Sequence, residues 1–126
     1  MTALPQSEPE ALAVGPLEVI PVEHLARVNG SALMLSVVEL RMLTELVRRA
    51  DRIVSREELS TRVWGRELRP GDRSVDVYVH KLRVKLEAAL PGWSFIHTHF
   101  GLGYRLCPQP RKAAPRLVPE RSRAGS

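Results

Sequence analysis

The stretch 72–86 (DRSVDVYVHKLRVKL) brings together residue types that recognise a polyanion. Val75, Val79, Leu82 and Leu86 recur at i, i+4, i+7 and i+11, the buried stripe of a helix over about 73–89. At ~100° per residue, the opposite line holds Arg73, Val77, His80 and Val84, and the adjoining line holds Ser74, Tyr78, Lys81 and Lys85. A helix exposed only to water has no use for two valines at its most solvated positions beside a row of cations. A helix that will be covered does. Nucleic acid fits this chemistry: Lys81 can donate to guanine N7 and O6, and a valine methyl can lie on the thymine methyl. His80 donates or accepts when neutral and adds charge when protonated. The competing reading has Val77 and Val84 packed on another part of the protein. Asp76 and Arg83 occupy the third side, within reach of other protein groups or of phosphate.

Other constellations carry less. His97-x-His99 puts two imidazoles on one face of a strand, with Cys107 on the next, but three ligands are an incomplete structural zinc set. We expect ordinary hairpin residues there and no metal. No Ser/His/Asp grouping and no glycine-rich phosphate loop stands out, so neither an enzyme, a cofactor nor a small-molecule ligand is expected.

A scaffold must position the helix, and the sequence marks its boundaries. Residues 17–35 read as short strands, at Leu17 to Ile20, His24 to Val28 and Ala32 to Leu35. Asn29-Gly30 between the last two suits a type I′ turn, whose central residues both need positive φ. Ser36 and Glu39 form a capping box, Leu35 and Leu40 a hydrophobic staple, and Leu40, Leu43 and Val47 carry a helix to about Arg49. Ser55 with Glu58, and Val54 with Leu59, repeat that signal for a short helix ending at Gly65. Residues 65–72 (GRELRPGD) make a loop, and Asp72 can cap the third helix, which Pro91-Gly92 ends. Residues 93–100 and 103–107 read as strands joined across Gly101-Leu102-Gly103. The expected class is α+β: a winged helix-turn-helix with an N-terminal antiparallel sheet, a three-helix core and a C-terminal β-hairpin wing.

A chain of 126 residues holds one core. We place it at 14–107, after a flexible segment at 1–13. A disordered basic tail is expected at 108–126, which contains four prolines, five Lys/Arg and one Glu. The formal net charge is +5 and 16 of the 19 basic residues are Arg, the cation that forks onto phosphate and guanine. Most of that excess lies in the tail, so a basic face on the domain must come from how its charges are arranged. A single cysteine, Cys107, excludes an internal disulfide framework and points to a reducing compartment. The acidic start lacks the basic region of a secretory leader, and no apolar run approaches the ~18 residues of a membrane span. The expected location is the cytoplasm, in association with the nucleoid.

Four segments then appear in order: LSVVELRMLTELV (35–47), VSREELSTRVWG (54–65), DRSVDVYVHKLRVKL (72–86) and IHTHFGLGYRL (96–106). Together they resemble the DNA-binding effector domain of OmpR/PhoB-type response regulators, over about residues 15–107. The resemblance implies a four-stranded N-terminal sheet, the third helix in the major groove of double-stranded DNA and the wing at the adjacent minor groove. It also implies two copies head-to-tail on direct repeats. Base readout would fall on Val77, Tyr78, His80, Lys81 and Val84. Phosphate contacts would fall on Arg56, Trp64, Arg73, Ser74, Arg83, Lys85, Thr98 and Tyr104, and the wing would offer His99, Phe100 and Arg105. Arg66, Glu67 and Arg69 in the 65–72 loop would form a contact for RNA polymerase.

Two departures accompany the resemblance. These proteins normally carry a receiver domain with a phosphorylated aspartate, for which 126 residues leave no room. If the sequence is complete, control by phosphorylation is lost. The family's wing typically reads TVRGxGYR, whereas Phe100 stands here in place of the arginine, so weaker or differently anchored wing contact is expected, such as an apolar wedge. Two rival functions follow: a non-specific architectural DNA binder relying on the basic tail, or a winged helix that binds protein through the 65–72 loop and the outward valines.

Overall fold

The computed structural model describes residues 10–111. The chain begins with β1 (Leu12–Val14), β2 (Leu17–Ile20), β3 (Leu25–Val28) and β4 (Ser31–Ala32), an antiparallel sheet in that order. Asn29 and Gly30, at φ 50° and 82°, close the last hairpin, with Val28 opposite Ser31. β1 falls partly in the segment expected to be flexible. Three residues are too few to show a period, and the strand exists because Leu12 to Val14 pair with Val19 to Leu17. The third strand starts at Leu25 rather than His24, because His24 (φ 50°) ends a 3₁₀ turn at Pro21–Glu23. The expected strand over 32–35 is also shorter, with only Ala32 retained in β4.

Helix α1 (Val37–Arg48) has both halves of its capping box: Glu39 N–H donates to Ser36 Oγ at 3.1 Å and Ser36 N–H to Glu39 Oε1 at 2.8 Å. β5 (Ile53–Val54) follows, a strand that no periodicity announces. Helix α2 (Arg56–Trp64) is capped by Ser55 Oγ, which accepts from Glu58 N–H at 3.0 Å. The reciprocal half of that expected box is not made. The Glu58 carboxylate accepts instead from Arg49 at 3.1 Å and Arg62 at 3.0 Å, charge-assisted bonds that outcompete a neutral amide.

Helix α3 (Ser74–Ala89) begins after Asp72, whose Oδ1 accepts from Ser74 N–H at 2.9 Å and Ser74 Oγ at 2.7 Å. The cap position itself is Arg73, so Asp72 tethers the first turn from one residue further out. β6 (Trp93–His99) and β7 (Gly103–Pro110) form the hairpin, and the second sheet runs β5-β7-β6. β7 runs past the expected boundary at 107, with Trp93 opposite Pro110, because β5 pairs only at Tyr104 and Arg105 and leaves an edge that tolerates proline. Residues 1–9 and 112–126, including most of the expected tail, lie outside the described residues.

The core fills the space between the sheets. Leu17 and Val19 of β2, Leu43 and Leu46 of α1, Leu59 of α2, all four stripe residues of α3, and Phe95 and Leu106 of the hairpin are buried in one cluster. Gly103 is a steric necessity. It sits at φ 145°, and a Cβ there would lie 2.1 Å from the Val54 carbonyl oxygen. The architecture is an α+β winged helix-turn-helix.

Candidate nucleic-acid interface

Because Val75, Val79, Leu82 and Leu86 point into the core, α3 must turn its other residues outward. Val77 is 46% exposed and Val84 53%, and His80 and Lys81 are exposed between them. The two valines do not pack on another part of the described chain. Lys81 Nζ lies 4.7 Å from the centroid of the Tyr78 ring, which meets Trp64 edge-on at 5.6 Å. The Arg66 guanidinium covers the other end of this row, 5.4 Å from the Trp64 ring. Cation–π attraction of this kind holds long side chains along a surface without neutralising them.

Asp76 organises the side of α3 that faces α2 and the hairpin. Its Oδ1 accepts from Arg56 Nε at 2.7 Å and from the Tyr104 hydroxyl, and Arg73 Nε lies 3.5 Å from Oδ2. The Tyr104 ring is flanked by Arg56 at 5.3 Å and Arg83 at 5.6 Å. Arg83 continues across to the wing, donating to the Ile96 carbonyl at 2.9 Å and to Thr98 Oγ1. Burial pushes the Asp76 carboxyl up, but the Tyr104 hydroxyl and the Arg56 guanidinium outweigh it and hold the group below its ordinary value. Tyr104 moves the opposite way, raised by burial and then by the carboxylate it donates to. One carboxylate thereby joins the first turn of α2, the first turn of α3 and the wing.

This geometry has close relatives. The family described as "Transcriptional regulatory protein, C terminal" matches residues 30–106, well over half of the chain. The chain belongs to this family. Over 95 residues it is 37% identical to Sensory transduction protein RegX3 of Mycobacterium leprae, covering 75% of this chain and 48% of that protein. Transcriptional regulatory protein PrrA of Mycobacterium leprae is 39% identical over 100 residues, covering 79% of this chain and 42% of PrrA. The chain thus spans about half the length of the curated relatives it matches. Among solved structures, the DNA-binding domain of CpxR from E. coli superposes with a TM-score of 0.71 at 33% identity, covering 78% of this chain and 96% of that one. The Klebsiella pneumoniae RstA DNA-binding domain, solved in complex with the RstA box, gives 0.70 at 32% identity, with 78% and 97% covered. These are OmpR/PhoB-type effector domains, which bind DNA in transcription regulation and are not enzymes.

Within this effector domain the side chains singled out from sequence fall into three groups. Val77, Tyr78, His80, Lys81 and Val84 share the outward surface of α3, with Arg73, 77% exposed, at its start. Arg56 and Tyr104 bond Asp76, Arg83 bonds Thr98 and lies over the Tyr104 ring, while Trp64 meets the Tyr78 ring and Ser74 bonds Asp72. Arg66 bonds Asp72 at 3.3 Å, and the exposed Glu67 and Arg69 complete the α2–α3 loop. That loop is pinned at its start by the Ser60 hydroxyl, which donates to the Arg66 carbonyl at 3.0 Å.

Lys85 is engaged within the domain. Its ammonium donates to Glu39 Oε1 at 2.6 Å and to the Met34 carbonyl at 3.0 Å, so it completes the α1 cap instead of facing outward with Lys81. Burial pushes Glu39 up, and the bonds from Lys85 and from the Ser36 backbone outweigh it and hold the carboxyl low. Arg105 is likewise committed within the domain, to Asp51 at 2.7 Å and His99 Nε2 at 3.1 Å. His97 Nε2 lies 2.8 Å from the Cys107 carbonyl, and no cluster of three or more metal-ligating side chains exists among the described residues. Sequence reasoning missed the Glu39–Lys85 pair and the bond that Arg105 donates to Asp51. No local signal announces partners that lie 46 and 54 positions apart.

Proposed function

We propose that this domain is a sequence-specific regulator of transcription in the cytoplasm. It reads double-stranded DNA with the outward face of α3 in the major groove. The wing reaches the neighbouring minor groove, and two copies bind head-to-tail on direct repeats. The observation that carries this reading is the half-exposed pair Val77 and Val84 with His80 and Lys81 between them, held beside a rigid, cation-rich junction. Val77 and Val84 suit thymine methyls, Lys81 suits guanine N7 and O6, and His80 and Tyr78 can hydrogen-bond base edges. Arg73, Arg56, Ser74, Trp64, Thr98 and Tyr104 form the phosphate-facing rim. Arg56 gives only its Nε to Asp76, leaving guanidinium N–H groups to donate at the N-terminus of α2, where an anion is already favoured. The internal pairing fixes these groups before DNA arrives, which lowers the ordering entropy of binding. Arg66, Glu67 and Arg69 are the proposed RNA polymerase contact.

The test is capture of fragmented genomic DNA by the purified protein at about 150 mM salt, since lower salt exaggerates backbone binding. Sharp peaks sharing a direct repeat support the reading. Flat recovery above a control without protein replaces it with charge-driven coating, and recovery at the control level replaces it with a protein partner.

A further inference from the structure

The tip of the hairpin is the most conspicuous surface left unexplained. Phe100 is 91% exposed and Leu102 62%, the former the most exposed large apolar side chain among the described residues. Water gives no reason to hold an aromatic ring at the end of an ordered turn. The turn is ordered: Leu102 N–H donates to the His99 carbonyl at 2.8 Å, and Gly101 adopts φ 78°. Residues 99–103 (HFGLG) carry no Lys, Arg, Asp or Glu. Two cations near the base of the hairpin are occupied, Arg105 by Asp51 and His99 and Arg83 by the Ile96 carbonyl and Thr98. The tip therefore presents carbon where a phosphate contact would need charge.

Its position limits what the carbon can meet. Tyr104, at the base of the tip, bonds Asp76, the residue just before Val77 on α3. Leu102 lies two residues beyond Tyr104, about 7 Å along the strand. The apolar tip thus extends from the side of α3 that adjoins the outward face, so that DNA lying on that face would come near it. Gly101, exposed and with open space where a Cβ would sit, separates Phe100 from Leu102, so the turn can approach a narrow groove closely.

We infer that Phe100, supported by Leu102, is a wedge that inserts from the minor groove into a flexible pyrimidine–purine step, adding specificity through deformability. Unstacking is cheapest at TA and CA/TG steps, so the protein would prefer sites with such a step at the wing although no base edge is read there. This rests on the DNA-binding reading above.

The experiment uses the full chain and duplexes with 2-aminopurine at a TA step, placed both in the captured repeat and in a generic sequence. Wild type should brighten the probe as the step unstacks. Phe100→Ala should abolish the brightening and weaken binding to a single site by about tenfold, with an unchanged salt slope because no phosphate contact is lost. Phe100→Leu should retain part of both. Circular dichroism should show all variants folded, since the side chain is exposed. Equal brightening and affinity in Phe100→Ala overturns the wedge. So does a loss seen only for a second copy on tandem sites, which makes the tip a protein contact. If Lys81→Ala and Val77→Ala leave base preference intact while Phe100→Ala still abolishes brightening, the major-groove reading fails and the wedge stands. Absence of any DNA binding by wild type overturns both.

Discussion

On the side of α3 that faces α2 and the wing, Asp76 accepts from Arg56 and Tyr104, and Arg83, lying over the Tyr104 ring, donates to Thr98 and the Ile96 carbonyl. On the outward side, Val77, His80, Lys81 and Val84 stand exposed, and Lys81 meets an aromatic ring instead of a carboxylate. One helix thus carries a frame and a reading face, separated by about a third of a turn. The frame is polar and complete, so its residues are worth stability. The reading face is left incomplete, so its residues are worth selectivity to whatever covers it. Substitutions should sort accordingly.

The largest effect belongs to the frame's tightest point. Gly103→Ala forces a Cβ against the Val54 carbonyl at an unfavourable φ and should destabilise the domain by about 3 kcal/mol or more, measured by urea unfolding. Near-wild-type stability would mean that β5 is free to yield and the frame is looser than its contacts imply. Next comes Asp76→Ala, which strips Arg56 and Tyr104 of their shared acceptor and should cost about 2–3 kcal/mol.

Acid should act on the same groups. Asp76 and Glu39 are held below their ordinary values, so the unfolded chain binds more protons than the native one as pH falls. Their contribution is complete above the ordinary carboxyl range of about 4 and is lost as pH drops through the lower native values. Urea midpoints from pH 7 to pH 3 should fall more steeply for wild type than for Asp76→Asn. Parallel curves would remove the carboxylate from the frame.

On the reading face, Lys81→Ala or Val77→Ala should relax base preference at one position by about 1–3 kcal/mol, with stability within about 0.5 kcal/mol. Equal losses on specific and random DNA would erase the distinction between the two sides. The smallest effect separates two cations on one helix. Lys85→Met should lower stability by about 1 kcal/mol, through the Glu39 cap, and leave DNA affinity and its salt slope unchanged. A slope reduced by about 1 would return Lys85 to the phosphate contacts.

Legibility followed the range of the interaction. The three helices were readable because caps and apolar spacing act within four residues: Ser36 with Glu39, Ser55 with Glu58, and the stripe from Val75 to Leu86. Both hairpin turns were readable because Asn29-Gly30 and Gly101-Leu102-Gly103 permit positive φ where other pairs would not. β1 and β5 were not, since strands of three and two residues have no period and exist only by pairing with β2 and β7. The outward face of α3 was legible as a pattern, while the frame behind it was not: Asp76 was left unassigned, and Arg56, Arg83, Thr98 and Tyr104 were named as phosphate contacts without their partners inside the domain. The partners of Lys85 were not legible because helical angle alone puts it in the row with Lys81, although one turn further along the helix meets the start of α1.

From its residues alone, this protein's sequence determined where helices start and stop, which stripe of α3 is buried and which residues face away from the core. Each of these depends on backbone geometry repeated every few residues. Only the tertiary structure decided which cations are free. A guanidinium or ammonium looks the same in sequence whether its partner is water, phosphate or a carboxylate. Arg56 and Lys85 found their carboxylates 20 and 46 residues away, across elements that only folding brings together.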